Sequence, residues 1–201
     1  MEETDLIASA RQGDLDSFNQ LVLRYQNMVY RQAWILLGNS DEAADAAQEA
    51  FILAFCKLRT FRGGSFRAWL LRIVNNYCYD ELRRWKRRPE EPLTPVDPMG
   101  EDVESPAWMR DPSPSPEDLS ERADLRRYLQ SCLETLSVEH QAVLLLVDVH
   151  GLDYHEASQS LGIPVGTVKS RLARARLQFR TRLLVDRERE SAAFIPMAAW
   201  G

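Results

Sequence analysis

The sequence predicts an all-α fold of two small helical domains joined by a flexible linker, on three observations. Apolar residues recur at three-and-four spacing on both sides of the middle of the chain, the period of a helix that buries one face. Eight of the ten prolines fall between Pro89 and Pro116, where a fixed φ and a missing amide donor forbid regular structure. No stretch alternates polar and apolar residues as a half-buried strand would.

In chain order, Phe18, Leu21, Val22, Tyr25 and Val29 form the first stripe. Ala47, Phe51, Phe55 and Leu58 form the second, and Phe66, Trp69, Leu70, Ile73 and Tyr77 the third. Turns at Gly38, Asn39 and Ser40 and at Gly63, Gly64 and Ser65 separate them. These elements define a first domain over 1–88. The segment 89–119, rich in proline, acidic and small residues, reads as a linker because its like charges repel. A second domain covers 120–188. There Leu125, Leu129, Cys132, Leu133 and Leu136 share a face, and "AVLLLVDV" is the centre of a nearly all-round apolar helix. A short helix from Tyr154 to Leu161 should end at Gly162, a residue suited to a left-handed C-terminal turn. Pro164 then starts a new helix, in which Val168, Leu172, Ala175, Phe179 and Leu183 face the core. The tail, 189–201, is apolar at "SAAFIPMAAWG" and carries no caps, so fraying is expected.

Composition narrows the function classes. The longest apolar run, residues 142–147, falls far short of the roughly 20 residues of a bilayer-spanning helix. The start, "MEETDLIASARQGD", lacks the basic and apolar parts of an export signal, so the expected location is cytoplasmic. Cys56, Cys78 and Cys132 form neither a C-x-x-C pair nor a cluster with histidine, and all three read as buried or half-buried hydrophobes. No metal or cofactor site is expected. Asp80 with Glu81, and His155 with Glu156, are adjacent on helices and point about 100° apart, so no catalytic set converges and no enzyme is expected.

The net charge of -5 conceals two basic blocks. Residues 59–88 carry +7 and 165–189 carry +6, separated by -9 over 89–124. Two separate cationic surfaces suit a polyanion. In the second block, Ser158, Gly162 and Val168 have the spacing of a helix-turn-helix, whose second helix enters the major groove by its N-terminal residues. Thr167, Lys169, Ser170, Arg171, Arg174 and Arg176 lie off the core stripe. Arg171 and Arg174 are the candidates for bidentate base contact. Lys169, Arg176 and Arg180 are the candidates for phosphate.

At these residues the C-terminal half resembles region four of bacterial sigma factors, in particular the extracytoplasmic-function group, in "GTVKSRLARAR". The N-terminal half resembles region two in "DEAADAAQEAFILAF" and "FRGGSFRAWLLRIVNNYCYDELRR". The resemblance implies core RNA polymerase binding through Asp45, Gln48, Glu49 and Phe51, the first three forming a polar, anionic patch on the side of the helix opposite Phe51 and Phe55. It implies minus-ten DNA recognition and melting through Arg62, Gly63, Ser65, Arg67, Asn76, Asp80, Arg83 and Arg84. Region four would read the minus-thirty-five element. Trp69, on the stripe of Phe66 and Ile73, reads as core rather than as a stacking platform. Core polymerase, promoter DNA and an anti-sigma factor are the implied partners, with no membrane insertion. The chain departs from the pattern at Ser137, Gln141 and Ser158, where the family commonly carries proline, arginine and the alanine of a Glu-Ile-Ala. The alternative is a stand-alone helix-turn-helix regulator, which leaves 41–84 without a role.

Overall fold

The computed structural model describes residues 2–87 and 128–193, the stretch 185–193 by its backbone alone. The predicted linker and the tail from 194 onward lie outside the described residues. Helices α1 (Glu3–Arg11), α2 (Leu15–Leu37), α3 (Ser40–Lys57) and α4 (Phe66–Arg87) come first. After the gap follow α5 (128–134), α6 (Val138–Leu144), α7 (Tyr154–Leu161) and α8 (Val165–Ala193). No strand occurs among the described residues. The fold class read from the helical periodicity is the one observed.

Local chemistry sets the boundaries. Asp14 accepts from the backbone amides of Asp16 and Ser17 and so caps α2, while Asn39 caps α3 through Asp41 and Glu42 at 2.9 and 3.1 Å. Each cap satisfies amides that a helix start leaves without partners. Gly38 ends α2 at φ 74°, donating to the Trp34 carbonyl. Ser137 caps α6, and Gln141, buried, donates its Nε2 to the carbonyls of Leu133 at 2.8 Å and Leu136 at 3.3 Å. The chain thereby satisfies the C-terminal end of α5 at positions where it departs from the family pattern.

Two expectations need correction. The buried face of α3 is centred on an alanine stripe, Ala43, Ala46, Ala47, Ala50 and Ala54; of the predicted stripe Ala47 and Leu58 are buried and Phe51 packs half-buried on the core, while Phe55 is turned outward. Small side chains let α2 and α4 pack closely on α3, and Phe55 is 37% exposed and lies edge-on to Phe18 with centroids 4.9 Å apart. Cys56, expected buried or half-buried, is exposed, whereas Cys78 and Cys132 are buried.

The apolar stretch after α6 also departs from a plain helix. Leu145–Val149 forms a π turn in which the His150 amide reaches back to the Leu145 carbonyl at 2.8 Å. The extra residue per turn leaves Leu145 and Leu146 buried while Asp148 and Val149 face solvent. Phe61, Phe66 and Trp69 pack with centroids 5.3 to 5.6 Å apart, and full burial of a side chain such as Phe66 contributes about 1.5–3 kcal/mol. Buried residues of both halves belong to one contiguous cluster: α4 packs on α7, and α2 on α6.

Candidate nucleic-acid interface

The turn between α7 and α8 is built locally. Asp153 and Glu156 form a reciprocal capping box at the start of α7, which satisfies two orphan amides at once. Gly162 takes φ 66° and closes α7 onto the Ser158 carbonyl, and a Cβ there would be strained in that left-handed conformation. Ser158 adds a bond from its hydroxyl to the Ile163 carbonyl at 2.6 Å. The serine that replaces the family's alanine thus ties the turn rather than opening it. Pro164 accepts the first helical bonds of α8 from Thr167 and Val168. Val168, Leu172 and Ala175 are buried, and that anchoring fixes the rotation of α8.

With the rotation fixed, Lys169, Ser170, Arg174 and Arg176 are exposed and Thr167 and Arg171 half-buried. Lys169 Nζ sits 5.6 Å above the Tyr154 ring, a cation–π geometry. Arg176 is held by Asp148 through two bonds, at 2.6 and 3.0 Å. Of the residues predicted for the major groove, Arg174 is thus solvent-facing, Arg171 is turned toward α4, and Arg176 already has a carboxylate partner. Asp148 and Tyr154 went unread in the sequence because each acts on a basic residue 28 or 15 positions away.

The second basic block surrounds α4. Arg62, Gly63 and Gly64 are exposed on the loop, the glycines at φ 92° and 88°. Ser65 caps α4 by accepting from the Ala68 amide at 3.2 Å. Asn76 and Asp80 are exposed one turn apart. Asp80 pairs with Arg83 at 3.2 Å and Glu81 with Arg84 at 2.6 Å, so these two arginines carry intrahelical partners. Arg67 is half-buried, its Nη2 at 3.5 Å from the Gly151 carbonyl. Trp69 joins the aromatic cluster as expected for a core residue. Burial pushes the Tyr79 phenol up to about 12, with Glu139 adding to the rise and Arg171 opposing it.

On α3, Asp45, Gln48 and Glu49 are exposed and Phe51 half-buried. Ile52 is 47% exposed between them and Phe55, and it was legible from its three- and four-residue spacing to Gln48 and Glu49. Burial, with Glu81, Asp41 and Asp45 nearby, raises the carboxyl of Glu42 above its usual range.

Comparison with known proteins agrees with this layout. Residues 21–88 match the family described as sigma-70 region 2, and residues 126–179 match sigma-70, region 4. The chain is 36% identical to the ECF RNA polymerase sigma factor SigE of Mycolicibacterium smegmatis over 86% of its own length, and spans 64% of that protein. It is 36% identical to the ECF RNA polymerase sigma-E factor of Escherichia coli K12, over 85% of the chain and 88% of that protein. The chain belongs to the extracytoplasmic-function sigma factors of the sigma-70 family. A solved structure of CnrH in complex with the cytosolic domain of CnrY superposes on this sigma factor with a TM-score of 0.66 at 26% identity, covering 90% of this chain and 96% of that one. As a sigma factor it directs promoter-specific initiation of transcription. No described helix is long and apolar enough to cross a membrane.

Proposed function

We propose that the two basic helical surfaces divide promoter recognition between them, and that α3 carries the contact to core RNA polymerase. The N-terminal unit (1–88) contacts the minus-ten element through the loop at Arg62, Gly63 and Ser65 and through Arg67, Asn76, Asp80, Arg83 and Arg84. The C-terminal unit (120–188) contacts the minus-thirty-five element through Thr167, Lys169, Ser170, Arg171, Arg174 and Arg176. Asp45, Gln48, Glu49 and Phe51 meet core polymerase, joined by Ile52. The chain contributes specificity and DNA opening, not covalent chemistry, and works in the cytoplasm. An anti-sigma factor is its regulatory partner, a reading supported by the likeness to CnrH, solved in complex with the cytosolic domain of CnrY.

The observation that carries this assignment is the turn at Ser158, Gly162 and Pro164, which anchors α8 through Val168 and Leu172 and leaves Arg174 outside. Run-off transcription with core polymerase tests it. Arg174→Ala should lose preference for the cognate minus-thirty-five sequence, by about ten-fold for a base contact of ~1–3 kcal/mol, while core binding holds. Gln48→Ala should weaken core binding with promoter preference intact. Equal transcription from both variants and the unaltered chain contradicts both assignments.

A further inference from the structure

The loop assigned above to the minus-ten element has nothing of its own to hold it in one shape. Arg62, Gly63 and Gly64 are exposed, and both glycines stand at positive φ. No atom beyond the adjoining residues lies within 4 Å of where a Cβ on either glycine would sit. Glycine passes readily between such conformations, so the geometry of the loop is set at its ends. Those ends are Phe61 and Phe66, both buried, whose rings meet edge to face at 5.6 Å, an arrangement that the ring quadrupoles favour. Trp69 closes on the two rings at 5.3 and 5.5 Å.

Tyr25 of α2 braces this pair, its ring 5.5 Å from that of Phe66. Tyr25 is half-buried, and its phenol donates to a carboxylate oxygen of Glu3 on α1. Burial pushes the phenol above its usual range, and Glu3 adds to the rise, so the hydroxyl keeps its proton and donates throughout the physiological range. Helix α1, with Leu6, Ile7 and Ala10 buried, packs on α2 and on the 3-10 turn Leu58–Thr60 that runs into Phe61. An aromatic ring alone would fill the place of Tyr25, so the hydroxyl adds direction and not apolar area.

We propose that Glu3 is a positioning residue for promoter opening: by fixing the Tyr25 ring against Phe66, it holds the two ends of the minus-ten loop at the spacing at which the loop meets DNA. The proposal rests on the assignment of that loop under Proposed function. Glu3 acts through Tyr25 and touches no DNA. A loop held in its binding shape before DNA arrives removes an ordering cost from the encounter.

Residue-resolved hydrogen exchange of the full, unbound chain reads the loop ends directly. The amides to follow are Phe61, bonded to the Leu58 carbonyl at 3.1 Å, and Ala68, bonded to the Ser65 hydroxyl at 3.2 Å. Tyr25→Phe, which keeps the ring and loses the donor, and Glu3→Ala should each speed their exchange about three- to ten-fold, the effect of one hydrogen bond. Exchange at the turn between α7 and α8 should not change. In the holoenzyme, permanganate reactivity of the minus-ten thymines should then appear about three- to ten-fold more slowly, with core affinity and minus-thirty-five preference intact. The double variant should lose no more than either single one, because both remove the same bond. Glu3→Gln retains an acceptor oxygen and should recover most of the opening rate that Glu3→Ala loses. Unchanged exchange at Phe61 and Ala68, losses that add in the double variant, or faster exchange spread evenly over α2 to α4 overturns the positioning role. Faster exchange at the loop ends with unimpaired opening counts instead against the minus-ten assignment on which the proposal rests.

Discussion

At the scale of single residues, the basic side chains divide by the partners they already have. Arg176 is clamped by Asp148 in a two-bond geometry, and Asp148 is itself placed by the π turn. Both members are partly exposed, with 52% and 33% of their side chains accessible, so screening leaves the pair worth about 0–1 kcal/mol of stability. Its larger effect is on DNA, since a guanidinium shared with a carboxylate neutralises less phosphate. Asp148→Ala should therefore leave thermal stability within about 1 kcal/mol. It should tighten holoenzyme binding to promoter DNA at low salt. Each phosphate contact adds roughly 0.9 to the slope of log affinity against log salt, so a titration from low to high salt should read a slope steeper by about one. An unchanged slope means that Arg176 meets no phosphate.

At the scale of elements, legibility followed the range of the interactions. The helix-turn-helix could be read because Gly162, Pro164 and the stripe from Val168 to Phe179 act within a few residues of one another. The same holds for the stops at Gly38 and Gly63. The face of α3 is legible only in part, at Ala47, Phe51 and Leu58, because aromatic residues mark the stripe while most residues that bury are alanines, whose value lies in letting neighbouring helices approach and not in their own apolar area. The π turn was invisible inside an unbroken apolar run, because one extra residue per turn leaves no mark in composition. On α3, Ala50 has no exposed surface where the helix packs against α2 and α4. Ala50→Leu should force α3 outward and destabilise the chain by about 1–3 kcal/mol, the usual result of overpacking a filled site. Urea unfolding followed by tryptophan fluorescence reads this as a lower midpoint, and a midpoint equal to that of the unaltered chain shows that the stripe has room to spare.

At the scale of the whole molecule, the two halves share one apolar cluster, and two polar contributions of different range are added to it. Gln32 Oε1 of α2 accepts from His150 Nε2 at 2.9 Å, a part-buried and short-ranged bond. His150 is held near pKa 4 by burial, with Arg31 and Arg67 adding to the depression, so it is a neutral donor at physiological pH and adds no charge to the contact. In the cleft between α4 and the start of α6 the balance is electrostatic: Arg83, Lys86 and Arg171 line it together with Glu139. The Glu139 carboxyl is held below its usual range, first by its backbone hydrogen bond and also by Arg171 and Lys86. That carboxylate offsets the mutual repulsion of three cations contributed by the two halves. Glu139→Gln keeps the shape and removes the charge, so like charges then face one another across the cleft. The expected result is a loss of stability of about 0.5–1 kcal/mol at low salt, the size for partly exposed charges, read as a lower urea midpoint. Raising ionic strength to about 0.5 M shortens the Debye length to a few ångströms and should bring the variant's midpoint back to that of the unaltered chain. Destabilisation by His150→Ala should persist at the same salt, because a lost neutral hydrogen bond is not screened. Identical salt responses of the two variants would show that charge across the cleft plays no part in holding the halves together.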